Sequence, residues 1–459
     1  MKLVITGGGG FRVPLVYDAV ATNALAAAGR PAVHIDEVVL HDASAARLEG
    51  IAKVIRERAA QLDHAPTLKV TTDLRDALTG ADFIFAAVRV GGVEGRIADE
   101  RVALDLGLLG QETIGPGGLA YALRTIPVMR ELARVTAEVA PHAWTINFTN
   151  PAGIVTQSMR EVLGDRVVGI CDTPIGLVRR VSRLLGVSLE HDTARVDYDY
   201  VGLNHLGWLR SVRIDGVERL PDVLGSDSAL DEIEEARVVG KDWVRATGAL
   251  PNEYLYYYLK TDEAIANIRR SAQTRGQYLQ AQQGDFYESV GCCDSPLALW
   301  QEALHEREST YMAEAREDSE ERRAEDAAGG GYQEVALRLM TALATGSPER
   351  MILDVGNLSE MERIVPELPD DVVVEVGCVV DEGGVHPLPV APLTLSQLGA
   401  MSTLRASEEA IAEAARTGDP EKAWEGFSTH PLVRSPRLGK ELLDGYSRAH
   451  PEIAQLFTR

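Results

Sequence analysis

At 459 residues, with 45% hydrophobic and 25% charged residues, the chain is long enough for two fused domains sharing a large core, and its composition excludes wholesale disorder. A formal net charge of -23 argues against nucleic acid or an anionic membrane as partner, because both are held by basic surfaces that displace counterions. Four cysteines, two of them adjacent at Cys292 and Cys293, do not make a disulfide framework. No run approaches the ~18 apolar residues of a membrane helix, and the apolar stretch after Met1 is too short for a signal peptide, so a reducing cytoplasm is the expected setting.

Residues 2–6 predict a short apolar strand, 13–30 a helix, and 36–42, centred on Val38-Val39-Leu40, a buried strand ending in an acid. A helix over 44–62, a strand over 68–71, a short helix over 73–78 and a strand over 82–88 follow. The alternation continues with helix 119–139, strand 144–147, helix 153–163, strand 167–170 and helix 175–185. Such βαβ repetition implies an α/β fold: a Rossmann-like, doubly wound parallel sheet over residues 1–194, with ligands at the carboxyl ends of its strands. Gly7 to Gly10, Arg89 to Gly92, Asn147 to Asn150 and Cys171-Asp172 each follow a predicted strand and should converge on one rim. From residue 195 the pattern changes to strands at 196–201 and 208–214, long charged helices, and a late strand pair at 372–380 and 385–388. This predicts an α+β domain over 195–459 for substrate binding and subunit contacts. Residues 317–331 read as a helix running into a flexible loop.

Four glycines, Gly7 to Gly10, join the first strand to the first helix. The strict G-x-G-x-x-G spacing fails at Arg12, but glycines admit a pyrophosphate to the backbone and Pro14 suits a first helical turn. Asp42 ends the second strand, where an acid binds the adenosine ribose and favours NAD over NADP; its distance from Gly7 (42 minus 7, 35 residues) exceeds the usual ~20. Downstream, Cys171-Asp172, Asn204-His205 and Tyr254 bring a thiol, a carboxyl, an imidazole and a phenol, the makings of a metal-assisted acid/base site coupled to a dinucleotide. Each has a plainer alternative: a buried core thiol, a helix-capping aspartate, a satisfied histidine, and a tyrosine packed among Tyr256, Tyr257 and Tyr258.

Taken in order, Gly7-Gly8-Gly9, Arg89-Val90-Gly91-Gly92, Gln111-Glu112-Thr113 with Gly115-Pro116-Gly117-Gly118, Asn147-Phe148-Thr149-Asn150-Pro151, Cys171-Asp172-Thr173-Pro174 and Gly202-Leu203-Asn204-His205 resemble glycoside hydrolase family 4. The resemblance extends to His430-Pro431-Leu432-Val433. It implies a lactate/malate dehydrogenase-like fold, NAD and a divalent metal, most simply Mn2+, as cofactors, a cytoplasmic homodimer or homotetramer, and a small anionic glycoside, a 6-phospho-glucoside, as substrate. Its implied chemistry is transient oxidation at the sugar C3, deprotonation at C2, elimination, water addition and re-reduction. The resemblance gives Cys171 and His205 as metal ligands, Tyr254 as the C2 base and Asp172 as the donor to the leaving group. A metal beside Tyr254 would lower its pKa from the ordinary phenol value of about 10. Gly7, Gly9, Gly10, Phe11, Arg12, Asp42 and Val88 form the expected NAD site; Arg89, Arg96, Glu112, Asn150, Asn204 and Arg275 form the expected substrate site. Arg96 and Arg275 match family positions near the substrate and its anionic group, where forked guanidiniums overcome the long-range repulsion of an acidic protein.

Two segments depart from the family pattern and are expected to alter the substrate pocket: Leu353-Asp354-Val355-Gly356-Asn357-Leu358 and Gly330-Gly331-Tyr332-Gln333. Asp172 resembles the α-acting members and the surrounding motifs the β-acting ones, which leaves the anomer open. A 6-sulfonate sugar, as in sulfoquinovosides, is the second candidate substrate by the same chemistry. An NAD-dependent hydroxy-acid dehydrogenase shares the fold but would accumulate NADH, and a non-enzymatic NAD sensor would have no use for Cys171, His205 and Tyr254 together.

Overall fold

The computed structural model describes residues 1–27, 29–189, 193–310 and 331–458. The expected helix and loop over 317–331 lie outside these residues apart from Gly331, which precedes the helix Tyr332–Thr345. Among the described residues no helix is long and apolar enough to cross a membrane.

Six strands form a parallel half-sheet: β1 (Lys2–Thr6), β2 (Glu37–His41), β3 (Thr67–Thr71), β4 (Phe83–Ala86), β5 (Trp144–Asn147) and β6 (Val167–Gly169), in the order β3-β2-β1-β4-β5-β6. Leu3, Val4, Ile5 and Ile84 are fully buried, as continuous apolar strands covered by helices on both faces must be. The order reverses between β1 and β4, so the connections leave toward opposite faces and open a crevice at the strands' carboxyl ends.

Beyond β6 the same sheet continues antiparallel. Strands β7 (Val196–Leu203), β8 (Leu206–Ile214), the two-residue β9 (Val217–Glu218) and β10 (Leu250–Pro251) come next in the chain, then β11 (Glu349–Gly356), β14 (Val373–Asp381) and β15 (Gly384–Pro387), while the β12–β13 hairpin (Leu358–Ser359, Glu362–Arg363) between β11 and β14 is a separate two-stranded sheet. In space the order from β6 is β11-β14-β7-β8-β10. Strand β11, which no sequence signal had marked, joins the halves through the pairing of Asp354 with Gly169, so one sheet crosses residue 195 without a break.

Helix ends follow their local chemistry. Thr394 caps Leu395–Thr417 with a capping box, and Asp419 and Ser435 cap the next two helices, each followed by proline in the first turn. This C-terminal bundle packs on the long helix Gly115–Val139 through Ile411, Phe427, Leu442 and Tyr446. The helix expected over 13–30 instead ends at Thr22, where Asn23 turns left-handed (φ 44) and its side-chain amide donates to the Val33 carbonyl. The helix expected from 119 starts at Gly115: four residues of weak intrinsic propensity are helical because they are buried in the tertiary structure.

Candidate active site

One cleft of about 570 Å³ opens at the carboxyl ends of β1, β4, β5 and β6 and is closed from the other side by the hairpin β7–β8, the Tyr254 turn and the helix Pro296–Ser309. At one end, Gly7 has φ +77, and a Cβ there would lie 2.2 Å from the Ala87 carbonyl oxygen, so only glycine fits. The loop's carbonyls are tied back by the C-terminal half: Tyr287 donates to Gly9 (2.6 Å), Trp300 to Phe11 (2.7 Å) and Tyr332 to Arg12 (2.8 Å). Such a loop presents backbone rather than side chains to the cleft, the surface an anionic pyrophosphate needs. Asp42 accepts from the amides of Gly9 (3.1 Å) and Ser44 (3.0 Å), which sets the acid against the glycine loop. Gly7, Gly10, Phe11, Arg12, Asp42 and Val88 line this end, while Gly9 stands just behind it. Phe11 is 4% exposed and packs edge-on against Phe286 at 5.2 Å, so most of its ring serves the core.

In the middle of the cleft, Asn147 folds back to bond the Thr149 amide and carbonyl and so shapes the following turn. That turn brings Asn150 into the cleft with a buried side-chain oxygen that has no hydrogen-bond partner among the described residues. Cys171 follows β6 and is 7% exposed; burial, then the neighbouring Glu375 and Asp172, push its thiol well above the ordinary range, so without a cation it stays protonated. Asp172 stands at the N-cap of Thr173–Leu184, yet its side chain makes no capping bond and lines the cleft, which removes the plainer reading of that residue. The two-residue turn Asn204-His205 between β7 and β8 holds His205 at φ +66 and 5% exposure. Burial, opposed by Glu112, lowers the His205 imidazole to about 3, so it faces the cleft neutral and able to ligate. Pairing of β10 with β8 then carries Tyr254 over it, the rings stacked at 3.7 Å and 14°.

Gln111 accepts the amides of Thr113 and Ile114 and so fixes the loop bearing Glu112. The Glu112 carboxylate bridges Arg89 and Arg96, each at 2.7 Å, and Arg96 also bonds Glu100 at 2.8 Å. Burial raises the Glu112 carboxyl, but Arg89 and Arg96 outweigh it and bring the group down to about 2. Arg96 is therefore saturated by carboxylates within the protein, while still lining the cleft.

Arg275 departs from expectation. It is not among the residues lining the cleft; at the first turn of Arg275–Ser289 its guanidinium donates to Thr310 Oγ1 (2.7 Å) and to the Arg307 carbonyl (3.0 Å). The cleft position belongs to Arg307, which the sequence reading missed. Glu57 pins the start of helix Pro296–Ser309 through Ser295 and Leu297, and Trp300 pins its middle on Phe11. One and two turns after Trp300, on the same face, come Leu304 and Arg307, both lining the cleft. Among the described residues Arg307 makes no ion pair; burial, then Arg12, Arg275 and Arg96, lower its guanidinium to about 9, opposed by Glu112. A cluster of like charges around a half-buried cation is a site that gains from an anion. Of the two departing segments, Gly331, Tyr332 and Gln333 line the cleft as expected, with Tyr332 stacked on Phe148 at 4.1 Å. Asp354 does not: it is 1% exposed within β11, behind the cleft. Among the described residues no group of three or more histidine, cysteine or acidic side chains is arranged to hold a metal, so Cys171 and His205 would be a sparse pair needing ligands from substrate or solvent.

Residues 2–187 match the model of the family 4 glycosyl hydrolases, and residues 200–433 match that of the family 4 glycosyl hydrolase C-terminal domain. The chain belongs to glycosyl hydrolase family 4. A probable 6-phospho-beta-glucosidase of Bacillus subtilis is 32% identical over 404 residues, covering 85% of this chain and 84% of that protein. A maltose-6'-phosphate glucosidase of the same organism is 28% identical over 433 residues, 90% of this chain and 89% of that one. Among solved structures, a 6-phospho-alpha-glucosidase from gut microorganisms in complex with NAD and Mn2+ superposes with a TM-score of 0.77 at 27% identity, over 97% of both chains. The 6-phospho-beta glucosidase of Thermotoga maritima, solved with NAD and glucose-6-phosphate, superposes at 0.81 over 99% of both chains; at 23% identity it shows the shared fold.

Proposed function

We propose that this family 4 glycosyl hydrolase cleaves glucosides carrying a phosphate at C6, with NAD and a divalent metal as resident cofactors. The observation that carries the substrate class is Arg307, a guanidinium in the cleft without an ion pair among the described residues, beside Arg12, Arg96 and Arg275. Relatives named as acting on 6-phosphorylated glucosides, of either anomeric type, support the reading.

The residues present suit the cofactors. The left-handed glycine loop with its tied-back carbonyls suits the NAD pyrophosphate, Asp42 suits the adenosine ribose, and the Cys171 thiol and His205 imidazole lining one cleft are donor types that suit a first-row divalent metal. When bound, NAD supplies a hydride acceptor for the sugar C3 and the metal supplies a Lewis acid for the sugar oxygens. Tyr254, steadied by its stack on His205, takes the C2 proton. Asp172, unengaged by the helix it precedes, gives a proton to the departing glycosidic oxygen. The buried Asn150 oxygen accepts a sugar hydroxyl, and Asn204 and the Arg89–Glu112–Arg96 chain line the sugar's surroundings. Arg307, with Arg12, takes the C6 anion.

The test is incubation with NAD and Mn2+ and nitrophenyl glycosides of glucose, glucose 6-phosphate and sulfoquinovose, in both anomers, following aglycone and NADH together. Aglycone release confined to glucose 6-phosphate, without net NADH, is expected. Cleavage confined to sulfoquinovose would replace phosphate by sulfonate, and NADH accumulation without cleavage would identify a dehydrogenase.

A further inference from the structure

Behind the cleft, a chain of buried hydrogen bonds ends on one carboxylate that the reaction does not touch. Glu375, in β14 and 1% exposed, accepts from Asn204 Nδ2 at 3.3 Å on one oxygen and from the Tyr200 hydroxyl at 2.9 Å on the other. The Tyr200 hydroxyl in turn accepts from Asn252 Nδ2 at 3.2 Å, and the same amide donates to Thr173 Oγ1 at 2.8 Å. Thr173 Oγ1 lies 3.4 Å from Cys171 Sγ, and the other end of Asn252, its Oδ1, accepts the Tyr254 backbone amide at 3.1 Å. Tyr200 and Asn252 are each 1% exposed, so the Tyr200–Glu375 and Asn252–Tyr200 bonds lie out of reach of solvent. The place for the phenol is built into the backbone: a Cβ on Gly207 would lie 2.3 Å from the Tyr200 hydroxyl.

We propose that Glu375 is a positioning residue for the reaction, the buried acceptor at the end of the chain of bonds that holds Asn204, the Cys171 turn and the backbone of Tyr254 in one arrangement. The inference rests on the reading of those three as site residues. Its physical basis is the direction of the bonds. Because the Tyr200 hydroxyl donates to Glu375, its oxygen is left to accept from Asn252; that orients the Asn252 amide, and only this orientation presents an oxygen to the Tyr254 amide and a donor to Thr173. Burial, then its cross-strand partner Asp354, push the Glu375 carboxyl up, opposed by the bonds from Tyr200 and Asn204; those two donors need both of its oxygens as acceptors, whereas a glutamine has one acceptor and one donor end, so one arm must reverse or let go. No residue of the glycine loop belongs to this chain of bonds.

Glu375→Gln tests the inference, with Mn2+ affinity read from the paramagnetic resonance of the free ion, NAD affinity from fluorescence titration, and kcat and KM measured on the glycoside that the wild type cleaves. The expected outcome is kcat/KM lower by on the order of 100-fold and Mn2+ bound about tenfold more weakly, with NAD affinity unchanged. Wild-type kcat/KM and Mn2+ affinity in the variant would overturn the proposal, as would parallel losses of NAD affinity and melting temperature, which mark a merely structural role. Should Glu375→Gln fail to fold, Tyr200→Phe removes the arm through Asn252 to the Cys171 turn and the Tyr254 amide and leaves the one to Asn204: about tenfold weaker Mn2+ binding with KM retained is expected, and unchanged Mn2+ affinity overturns it. A wild type that cleaves no glycoside with NAD and Mn2+ would instead sink the functional reading, a result separate from either variant's.

Discussion

The two ends of the cleft are built in different ways. The glycine-loop end is made by contiguous strand–turn–helix segments, so Gly7, Gly10 and Asp42 arrive together whenever β1 and β2 pair. The opposite end brings Arg12, Arg96 and Arg307 together from three separated segments, which meet only when the helix Pro296–Ser309 docks on Phe11 and Glu57; there Arg307, with Arg12, is the proposed anion site. A site of the first kind announces itself in short motifs; a site of the second kind consists of charges that look solvated in sequence and acquire meaning from what surrounds them.

The largest effect should come from breaking the contiguous end. In Gly7→Val the left-handed backbone and the 2.2 Å approach to Ala87 both forbid the side chain. NAD affinity, measured by fluorescence titration, should fall on the order of 100-fold or more, with circular dichroism confirming that the fold survives. Next comes the assembled end: Arg307→Leu should lower kcat/KM for the 6-phospho-glucoside about 100-fold while leaving NAD affinity unchanged, and Arg307→Lys should recover only part, since an ammonium lacks the fork. Equal losses on phosphorylated and unphosphorylated glycosides would move the anion site elsewhere. Arg275→Ala removes a support of Arg307 rather than a cleft residue, so a smaller loss of about tenfold in the same assay is expected.

The smallest effect distinguishes fold from site by pH. His430 is 1% exposed, and burial, then Arg434, lower its imidazole from 6.5 to about 3. A depressed histidine stabilises the fold fully above pH 6.5, and that contribution is lost as pH falls toward 3. At pH 5.5 the loss amounts to about 1.4 kcal/mol, so the melting temperature of His430→Asn should depend less on pH between 7 and 5 than that of the wild type. An unchanged slope would show that His430 is not the titrating group.

Several residues were legible in sequence because their neighbours in the chain are also their neighbours in space. The predicted strands 2–6 and 144–147 match β1 and β5 residue for residue, and the turns after β1, β4, β5 and β6 meet on one rim as a parallel sheet requires. Where the expectation was misplaced, a distant contact had decided the matter. Arg275 and Arg307 are both helix arginines, and nothing local says that the first bonds the second's carbonyl while the second faces the cleft. Asp354 sits in a segment that reads as pocket-lining, yet pairing with Gly169 on one side and Glu375 on the other carries it behind the site.

The sequence by itself therefore determined the alternation of strand and helix, the parallel half-sheet, the glycine loop, and the membership signalled by six ordered motifs, because backbone conformation and strand ends depend on residues a few positions apart. Only the tertiary structure decided which guanidinium faces the cleft, that Tyr254 stacks on His205, and that Glu375 anchors both Asn204 and Asn252's partner Tyr200. Those choices depend on side chains far apart in the chain sharing one buried volume, where each polar group must find a partner and each charge a counter-ion.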